Sequence, residues 1–191
     1  MAKVKLNPMF EEVSGGLGDL VFREVNGKTI LSRKPDFSGN EISENQVAHR
    51  ERFRQAVAYG RSVLADSNMR DLYTQAADRK GMPLFAFTVA DFFNAPSVND
   101  VDLSAYVGQP GDVIKVSAMD DFGVASVQVM VSNAQNGASI ETGYAVETAA
   151  GSGLWVYTAT VSVPAGSEVN FNVVATDYPG GTALNTSAKS I

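Results

Sequence analysis

Residues 113–131 read VIKVSAMDDFGVASVQVMV, and this stretch decides the fold of the second half of the chain. Apolar and polar residues alternate in both of its arms, and the loop Asp120-Asp121-Phe122-Gly123 separates them. Alternation of this kind predicts a half-buried β-strand, and a run of Asp and Gly predicts the turn between two such strands. The stretch therefore predicts two strands, Val113–Ala118 and Ala125–Val131.

The same pattern recurs through the rest of the chain beyond residue 100, with Pro-Gly, Asn-Gly and Gly-Gly turn signals between the runs. The five further predicted strands are Val101–Leu103, Ile140–Glu147, Leu154–Val163, Val169–Ala175 and Ala183–Ser187. Seven short strands at this spacing are typical of a β-sandwich.

The first ninety-five residues follow different patterns. Met1–Ser14 has no sustained period and predicts an extended arm. The pair Asn26-Gly27 joins two β-prone runs, Leu20–Val25 and Lys28–Pro35, and predicts a hairpin because both turn positions favour positive φ. Ser43 and Gln46 form a capping-box pattern. Three helices are predicted after it: one to about Ala65, one from Asp66 or Ser67 to Gly81, and a short apolar one after Pro83.

The distribution of charge changes near residue 95, where the hydrophobic pattern also changes from a helical to an alternating period. Of the fifteen Lys and Arg residues, thirteen precede Pro96, and the acidic residues divide twelve to nine, so the two parts carry 13 − 12 = +1 and 2 − 9 = −7. A break of this kind predicts two domains, residues 1–95 and residues 96–191.

The second half resembles bacterial Ig-like modules that occur as appendages on secreted and viral surface proteins. The resemblance lies in residues 113–131 and in LWVYTATVSVPAGSEVNFNVVATDYPGGTA, residues 154–183. The shared pattern is a strand that ends in Ala-x-Asp, a loop with Gly and a strand of valines. The expected fold class is therefore α+β multidomain: an N-terminal arm, a β-hairpin and a helical domain, followed by an all-β Ig-like sandwich.

The first half is similar to small proteins of bacteria and their phages that share three short motifs. These are G-x-x-G-x-x-V-F, here Gly15, Gly18, Val21 and Phe22; Lys-Pro, here Lys34-Pro35; and Q-x-x-x-R-x-x-F, here Gln46, Arg50 and Phe53. The resemblance implies roles in virion or surface assembly and supplies no activity.

The composition leaves little material for catalysis. The chain has no cysteine and one histidine, His49, which we expect to be solvated. No G-x-S-x-G motif is present, and the glycines at residues 15–18 precede a strand instead of opening a helix, so they do not form a phosphate loop. We therefore expect that the protein is not an enzyme and has no cofactor.

Calcium is the one metal for which the sequence offers ligands, because Ca²⁺ prefers carboxylate and carbonyl oxygens. The candidates are Asp100 and Asp102 at the domain junction and Asp120, Asp121 and Asp177 at the ends of strands. The alternative is that these side chains cap backbone N–H groups in turns.

The sequence contains no signal peptide and no apolar stretch of membrane-spanning length, so we expect no membrane insertion. The cellular location is not predicted beyond a suspected virion or extracellular assembly. The acidic pI near 4.7 argues against nucleic-acid binding by the whole molecule, although the arginines of the first helix leave that contact open.

The expected function is a structural protein that self-assembles through its N-terminal domain, alone or with other virion or surface proteins. It would display the sandwich as a virion, tail or decoration component or as a filament subunit. The residues predicted to form the interface are Val4, Leu6, Met9, Phe10, Leu20, Phe22, Phe85 and Phe92. Two alternatives stay open: an arm that folds back on its own chain, and a cell-surface module that binds carbohydrate or protein.

Overall fold

The computed structural model describes residues 2–3, 14–25, 27–36 and 43–191. Within them the chain divides into two compact units, Met1–Val47 and Ala48–Ile191, called here the N-terminal unit and the C-terminal unit. The protein is of mixed α and β structure, with three helices and three four-stranded antiparallel sheets among the described residues. The predicted domain boundary at residue 95 lies inside the C-terminal unit and stays a prediction that unfolding measurements test.

The N-terminal unit contains one sheet in the order β1-β4-β3-β2. Its strands are β1 (Ala2–Lys3), β2 (Gly15–Leu17), β3 (Leu20–Val25) and β4 (Lys28–Arg33). The predicted hairpin is confirmed by the pairing of Val25 with Lys28 and of Leu20 with Arg33. Gly27 has φ +69° in the turn, while Asn26 lies outside the described residues. The hairpin is extended by a strand at each edge, which the sequence did not predict.

Three helices follow: α1 (Glu44–Ala65), α2 (Ser67–Lys80) and α3 (Leu84–Phe93). The predicted capping box is present at the start of α1. Ser43 Oγ accepts a hydrogen bond from Gln46 N at 3.3 Å, and Gln46 Oε1 accepts one from Ser43 N at 3.2 Å. Asp66 caps α2 by accepting from two backbone N–H groups, and Gly81 ends it with φ 64°. The helices share a small core of Val63, Tyr73, Ala76, Ala77 and Phe87.

The remaining strands form two sheets. The first β sheet has the order β5-β6-β10-β9, and the second β sheet has the order β12-β11-β7-β8. Their bounds are β5 (Ser97–Asp102), β6 (Val113–Met119), β7 (Val124–Asn133), β8 (Ser139–Tyr144), β9 (Val146–Glu147), β10 (Leu154–Thr158), β11 (Glu168–Asp177) and β12 (Thr182–Ser190). Alternate residues of both sheets build one core, which includes Ile114, Val129, Trp155 and Phe171.

The prediction of seven strands after residue 95 was wrong, since the described residues contain eight. The predicted strand Ile140–Glu147 is divided at Ala145, whose side chain is buried and whose N–H donates to Val127 O at 2.8 Å. The chain passes there from the second β sheet to the first. The predicted strand Leu154–Val163 ends at Thr158, because Thr160 N donates instead to the Glu141 carboxylate at 2.9 Å.

Candidate functional site

One face of the N-terminal sheet carries four apolar side chains that are exposed or half-buried, beside Glu24 and Arg33 on the same face. The pairing of Phe22 with Leu31 and of Leu17 with Leu20 places these four side chains on the same face. Leu17 is 70% exposed and Leu20 39% exposed, and none of the described side chains of the N-terminal unit is buried. We call this set (Leu17, Leu20, Phe22 and Leu31) the apolar face.

Part of one edge of the same sheet has no strand partner among the residues that the structure describes. Strand β1 pairs with β4 only at Ile30 and Leu31, so the other four residues of β4 have no strand partner on that side among the described residues. An unpaired strand edge presents backbone donors and acceptors to which another strand can add. The N-terminal sheet therefore offers both apolar side chains and backbone hydrogen-bonding groups to a partner.

The predicted interface residues are only partly brought together. Leu20 and Phe22 share the apolar face, whereas Val4, Leu6, Met9 and Phe10 lie outside the described residues. Phe85 and Phe92 belong to the C-terminal unit. Phe85 is 39% exposed, and the half-buried Phe92 packs against Tyr59 with ring centroids 5.9 Å apart.

The calcium candidates occupy two places. Asp100 and Asp102 lie on β5, where Asp102 is 3.9 Å from Lys115 Nζ and its hydrogen bonds with Ser104 lower the pKa of its carboxyl. Asp120 and Asp121 lie in the β6–β7 loop, residues 120–123, and Asp177 ends β11. No three His, Cys, Asp or Glu side chains within the described part of the chain are placed to hold a metal ion. We assign none of these aspartates as a metal ligand, and calcium binding stays a prediction.

Asp120 and Asp177 instead accept hydrogen bonds from backbone N–H groups in turns, which was the alternative to calcium binding. Asp120 Oδ2 accepts from Phe122 N at 3.0 Å and from Gly123 N at 3.1 Å, and Asp177 Oδ1 accepts from Gly181 N. Each carboxylate uses one oxygen in this way. The other oxygen, Asp120 Oδ1 or Asp177 Oδ2, is buried without a hydrogen-bond partner among the described residues.

A third carboxylate lies in the same region, on α3. Asp91 is 1% exposed, and its Oδ2 accepts a hydrogen bond from Tyr73 Oη at 2.6 Å, while its Oδ1 is buried and has no partner among the described residues. Burial, followed by the charges of Asp120, Asp177 and Asp121, raises the pKa of Asp91 to about 7, although the Tyr73 hydrogen bond opposes the rise. Burial likewise raises the pKa of Asp177.

Aromatic rings join this group to the helices. Tyr73 on α2 stacks on Phe122 of the β6–β7 loop, with ring centroids 3.7 Å apart and an interplanar angle of 18°. Tyr73 Oη also lies 2.8 Å from Tyr59 Oη. At the border of the group, Lys80 Nζ contacts Asp121 Oδ1 at 2.7 Å, and Asn94 Nδ2 donates to Asp121 Oδ2 at 2.6 Å. We call Asp91, Asp120, Asp177, Tyr73 and Phe122 the carboxylate cluster.

The sequence indicated part of this cluster. It singled out Asp120 and Asp177 because they end strands, but it missed Asp91. The available signal was that Asp91 is the one charged residue in α3, an otherwise apolar helix. A lone carboxylate in such a helix needs a polar partner or a proton when it is buried. His49, in contrast, is exposed and lies beside Phe93, with ring centroids 5.9 Å apart.

Comparison with known proteins gives no family. No family model matches the chain, and no curated protein matches it. One similar solved structure is the crystal structure of CopC from Methylosinus trichosporium OB3b, at 14% identity and a TM-score of 0.38. The match covers 49% of this chain and 89% of that chain. Within the described residues no helix has both the length and the apolar character to cross a membrane.

Proposed function

We propose that the protein is a non-enzymatic structural protein that self-assembles through its N-terminal residues and displays an Ig-like sandwich. The assembly is a virion, tail or decoration component or a filament subunit, as the resemblance to phage proteins implies. The observation that carries the proposal is the apolar face of the N-terminal sheet, whose four side chains are exposed or half-buried.

The stability of the N-terminal sheet depends on what its apolar face packs against. Three or more strands become stable in water when one face packs on apolar material. All the described side chains of the N-terminal unit are half-buried or exposed, so the apolar face gains little from folding alone. Full burial of a Leu or Phe side chain contributes about 1.5–3 kcal/mol, and covering what is still exposed here would contribute on the order of 1 kcal/mol for each side chain.

A second copy of the chain supplies what the sheet lacks. Its own apolar face can cover the first, and its arm or strand can add to the open edge of β4 by β-augmentation. Contacts between unlike surfaces repeat from copy to copy and build a ring or a filament. Residues 4–14 of the next copy are our choice for the added strand, because β1 already pairs with β4 of its own chain and the residues after it contain Val4, Leu6, Met9 and Phe10.

The C-terminal unit is suited to display, because it has a core of its own. Sixteen residues of the two β sheets and their connections form that core, including Trp155, Tyr157 and Phe171. Two four-stranded antiparallel sheets with a shared core support the Ig-like interpretation.

Light scattering and sedimentation of the full-length chain test the proposal. The wild type should form oligomers that grow across the micromolar range, and Leu20→Glu should abolish them because it places a charge on the apolar face. Val25→Glu is the matched control, since Val25 is 46% exposed on the opposite face of the same strand. Deletion of residues 1–14 should also abolish assembly. Monomeric wild type at every concentration would contradict the proposal.

A binding module at a cell surface is the second candidate, and one observation favours it. The outward side of the first β sheet carries Met119, Val146 and Leu154, which are 52%, 72% and 53% exposed. An apolar group on a solvent-facing sheet is a common feature of interaction sites. Binding to purified cell-surface polysaccharides that survives deletion of residues 1–14 but not Val146→Asp would favour this candidate over assembly.

A further inference from the structure

The carboxylate cluster belongs to the C-terminal unit and takes no part in the proposed assembly. Its aromatic part fastens the helices to the β region, because the Tyr73 ring stacks on Phe122 of the β6–β7 loop. The hydroxyl of the same tyrosine donates to Asp91 Oδ2 at 2.6 Å. The charge of Asp91 therefore acts directly on the residue that holds the loop against α2.

Ionised Asp91 is poorly accommodated where it lies. It is 1% exposed, its Oδ1 has no partner among the described residues, and no described cation contacts it. The neighbouring Asp120 and Asp177 each bury an unpartnered oxygen as well. Ionised carboxylates in one region repel one another, and the repulsion is strengthened here because Asp91 and Asp177 are buried and Asp120 is half-buried.

We propose that Asp91 is a proton-binding site that controls the docking of α2 and α3 on the β region. The protonated carboxyl holds the cluster together, and ionisation loosens it. The inference does not depend on self-assembly, because every residue in it belongs to the C-terminal unit. A neutral carboxyl relieves the repulsion, and its hydroxyl can donate to a neighbouring carboxylate.

Groups from each surrounding element contribute to this balance. The titratable and charged groups that face Asp91 are Tyr73 on α2, Tyr59 on α1, Asp120 and Asp121 in the β6–β7 loop, Asp177 at the end of β11, and Lys80, which pairs with Asp121. The Lys80 ammonium and the Asn94 amide lower the pKa of Asp121. Lys80 therefore compensates the exposed Asp121, while Asp91, Asp120 and Asp177 have no ion pair among the described residues.

The direction of the pH effect follows from linkage. Folding raises the pKa of Asp91 from its ordinary 3.8 to about 7, so the folded chain binds the proton more tightly than the unfolded chain does. The stabilisation is fully present below about pH 4 and is lost as the pH rises to about 7. In this window a single carboxyl changes the unfolding equilibrium constant by at most about tenfold per pH unit.

Denaturant unfolding of the full-length chain between pH 5 and 8.5 tests the proposal, with the His49→Gln variant as the background. Imidazoles ordinarily titrate in this range, and His49 is the one histidine of the chain. The unfolding constant of the background protein should rise nearly tenfold per unit from pH 5 and level off above about pH 7. Asp91→Asn should remove this rise and make the protein more stable than the background at pH 8.

Two further variants separate proton binding from a merely structural role. Asp78→Asn on the exposed side of α2 should keep the rise unchanged. Tyr73→Phe removes the hydrogen bond that favours the ionised form of Asp91, so the pH at which the unfolding constant levels off should rise. The carboxyl ¹³C shift of Asp91 gives a measurement that needs no variant, and a titration midpoint near 4 would overturn the proposal. Ca²⁺ that stabilises the wild type but not Asp91→Asn at pH 8 would also overturn it, in favour of a cation site.

Discussion

Replacement of Phe122 by alanine tests how the helices and the β region depend on each other. Phe122 comes from the β6–β7 loop, yet its ring packs against the helical core. It stacks on Tyr73 at 3.7 Å and meets Phe87 at 6.3 Å and Tyr178 at 5.0 Å between ring centroids. The substitution removes one ring from the middle of this group and uncovers the face of Tyr73.

The size of the effect follows from the burial of Phe122. Truncation of a fully buried Phe to Ala costs about 3–5 kcal/mol, and stacked or edge-to-face pairs add about 0.5–1.5 kcal/mol beyond area. Phe122 is half-buried, so we expect a loss of about 2–3 kcal/mol in the free energy of unfolding. For a chain of this size the loss corresponds to a fall of about 4–12 °C in Tm.

Two probes report on the two regions separately. Trp155 is the single tryptophan and is buried in β10, so its fluorescence follows the β region, while circular dichroism at 222 nm follows mainly the helices. If the helices dock through Phe122, both probes should give the same midpoint in the wild type and both midpoints should fall in Phe122→Ala. The predicted boundary at residue 95 would instead produce two separate transitions, with the Trp155 midpoint unmoved by the substitution. That result would refute the docking argument.

Phe53→Ala is the matched control for this experiment. Phe53 is 49% exposed on α1 and stacks on Phe93 at 6.4 Å, away from the β6–β7 loop. Its truncation should cost less than about 1 kcal/mol, because little burial is lost and alanine favours the helix. An equal loss in the two variants would show that the Phe122 effect is not specific to docking.

Local signals were sufficient to predict the elements whose conformation depends on neighbouring residues. The Asn26-Gly27 pair fixed the hairpin register, and the Ser43–Gln46 box and Gly81 marked helix ends that the structure confirms. Strand β2 was missed because Gly15 and Gly16 have low strand propensity and pair only through the backbone. The break at Ala145 was missed because no turn residue marks it, and the change of sheet depends on packing.

The candidate site depends on contacts that sequence spacing does not encode. The sequence placed Asp120 and Asp177 at the ends of strands, and it predicted the helix that contains Tyr73. It could not show that Phe122, which lies 49 residues further along the chain, covers Tyr73 or that the tyrosine hydroxyl meets Asp91. Packing also decides which face of α1 is buried, since Val47 and Phe53 are exposed while Ala56, Gly60 and Val63 are buried. At Gly60 the close approach of α3 leaves no room for a larger side chain, because an added Cβ would lie 2.8 Å from Thr88 Oγ1.

Two further substitutions test packing within the C-terminal unit. Gly60→Ala gains about 1 kcal/mol from helix propensity. The added methyl group, however, would lie 2.8 Å from Thr88 Oγ1 and 2.9 Å from the Phe85 ring. We therefore expect urea unfolding to show a net loss of about 1–2 kcal/mol in the free energy of unfolding. A gain in stability would show that α1 and α3 separate easily. Lys189→Met removes two hydrogen bonds of 2.6 Å that Nζ donates to Leu103 O and to Tyr106 O. We expect the free energy of unfolding to fall by about 2–3 kcal/mol, because both half-buried hydrogen bonds come from a charged donor. The control is Lys115→Met, because Lys115 makes an exposed ion pair of 3.9 Å with Asp102. This substitution should lower the free energy of unfolding by less than about 0.5 kcal/mol. Equal losses for the two lysines would mean that net charge, not the tie between β12 and the segment after β5, sets the stability of this region.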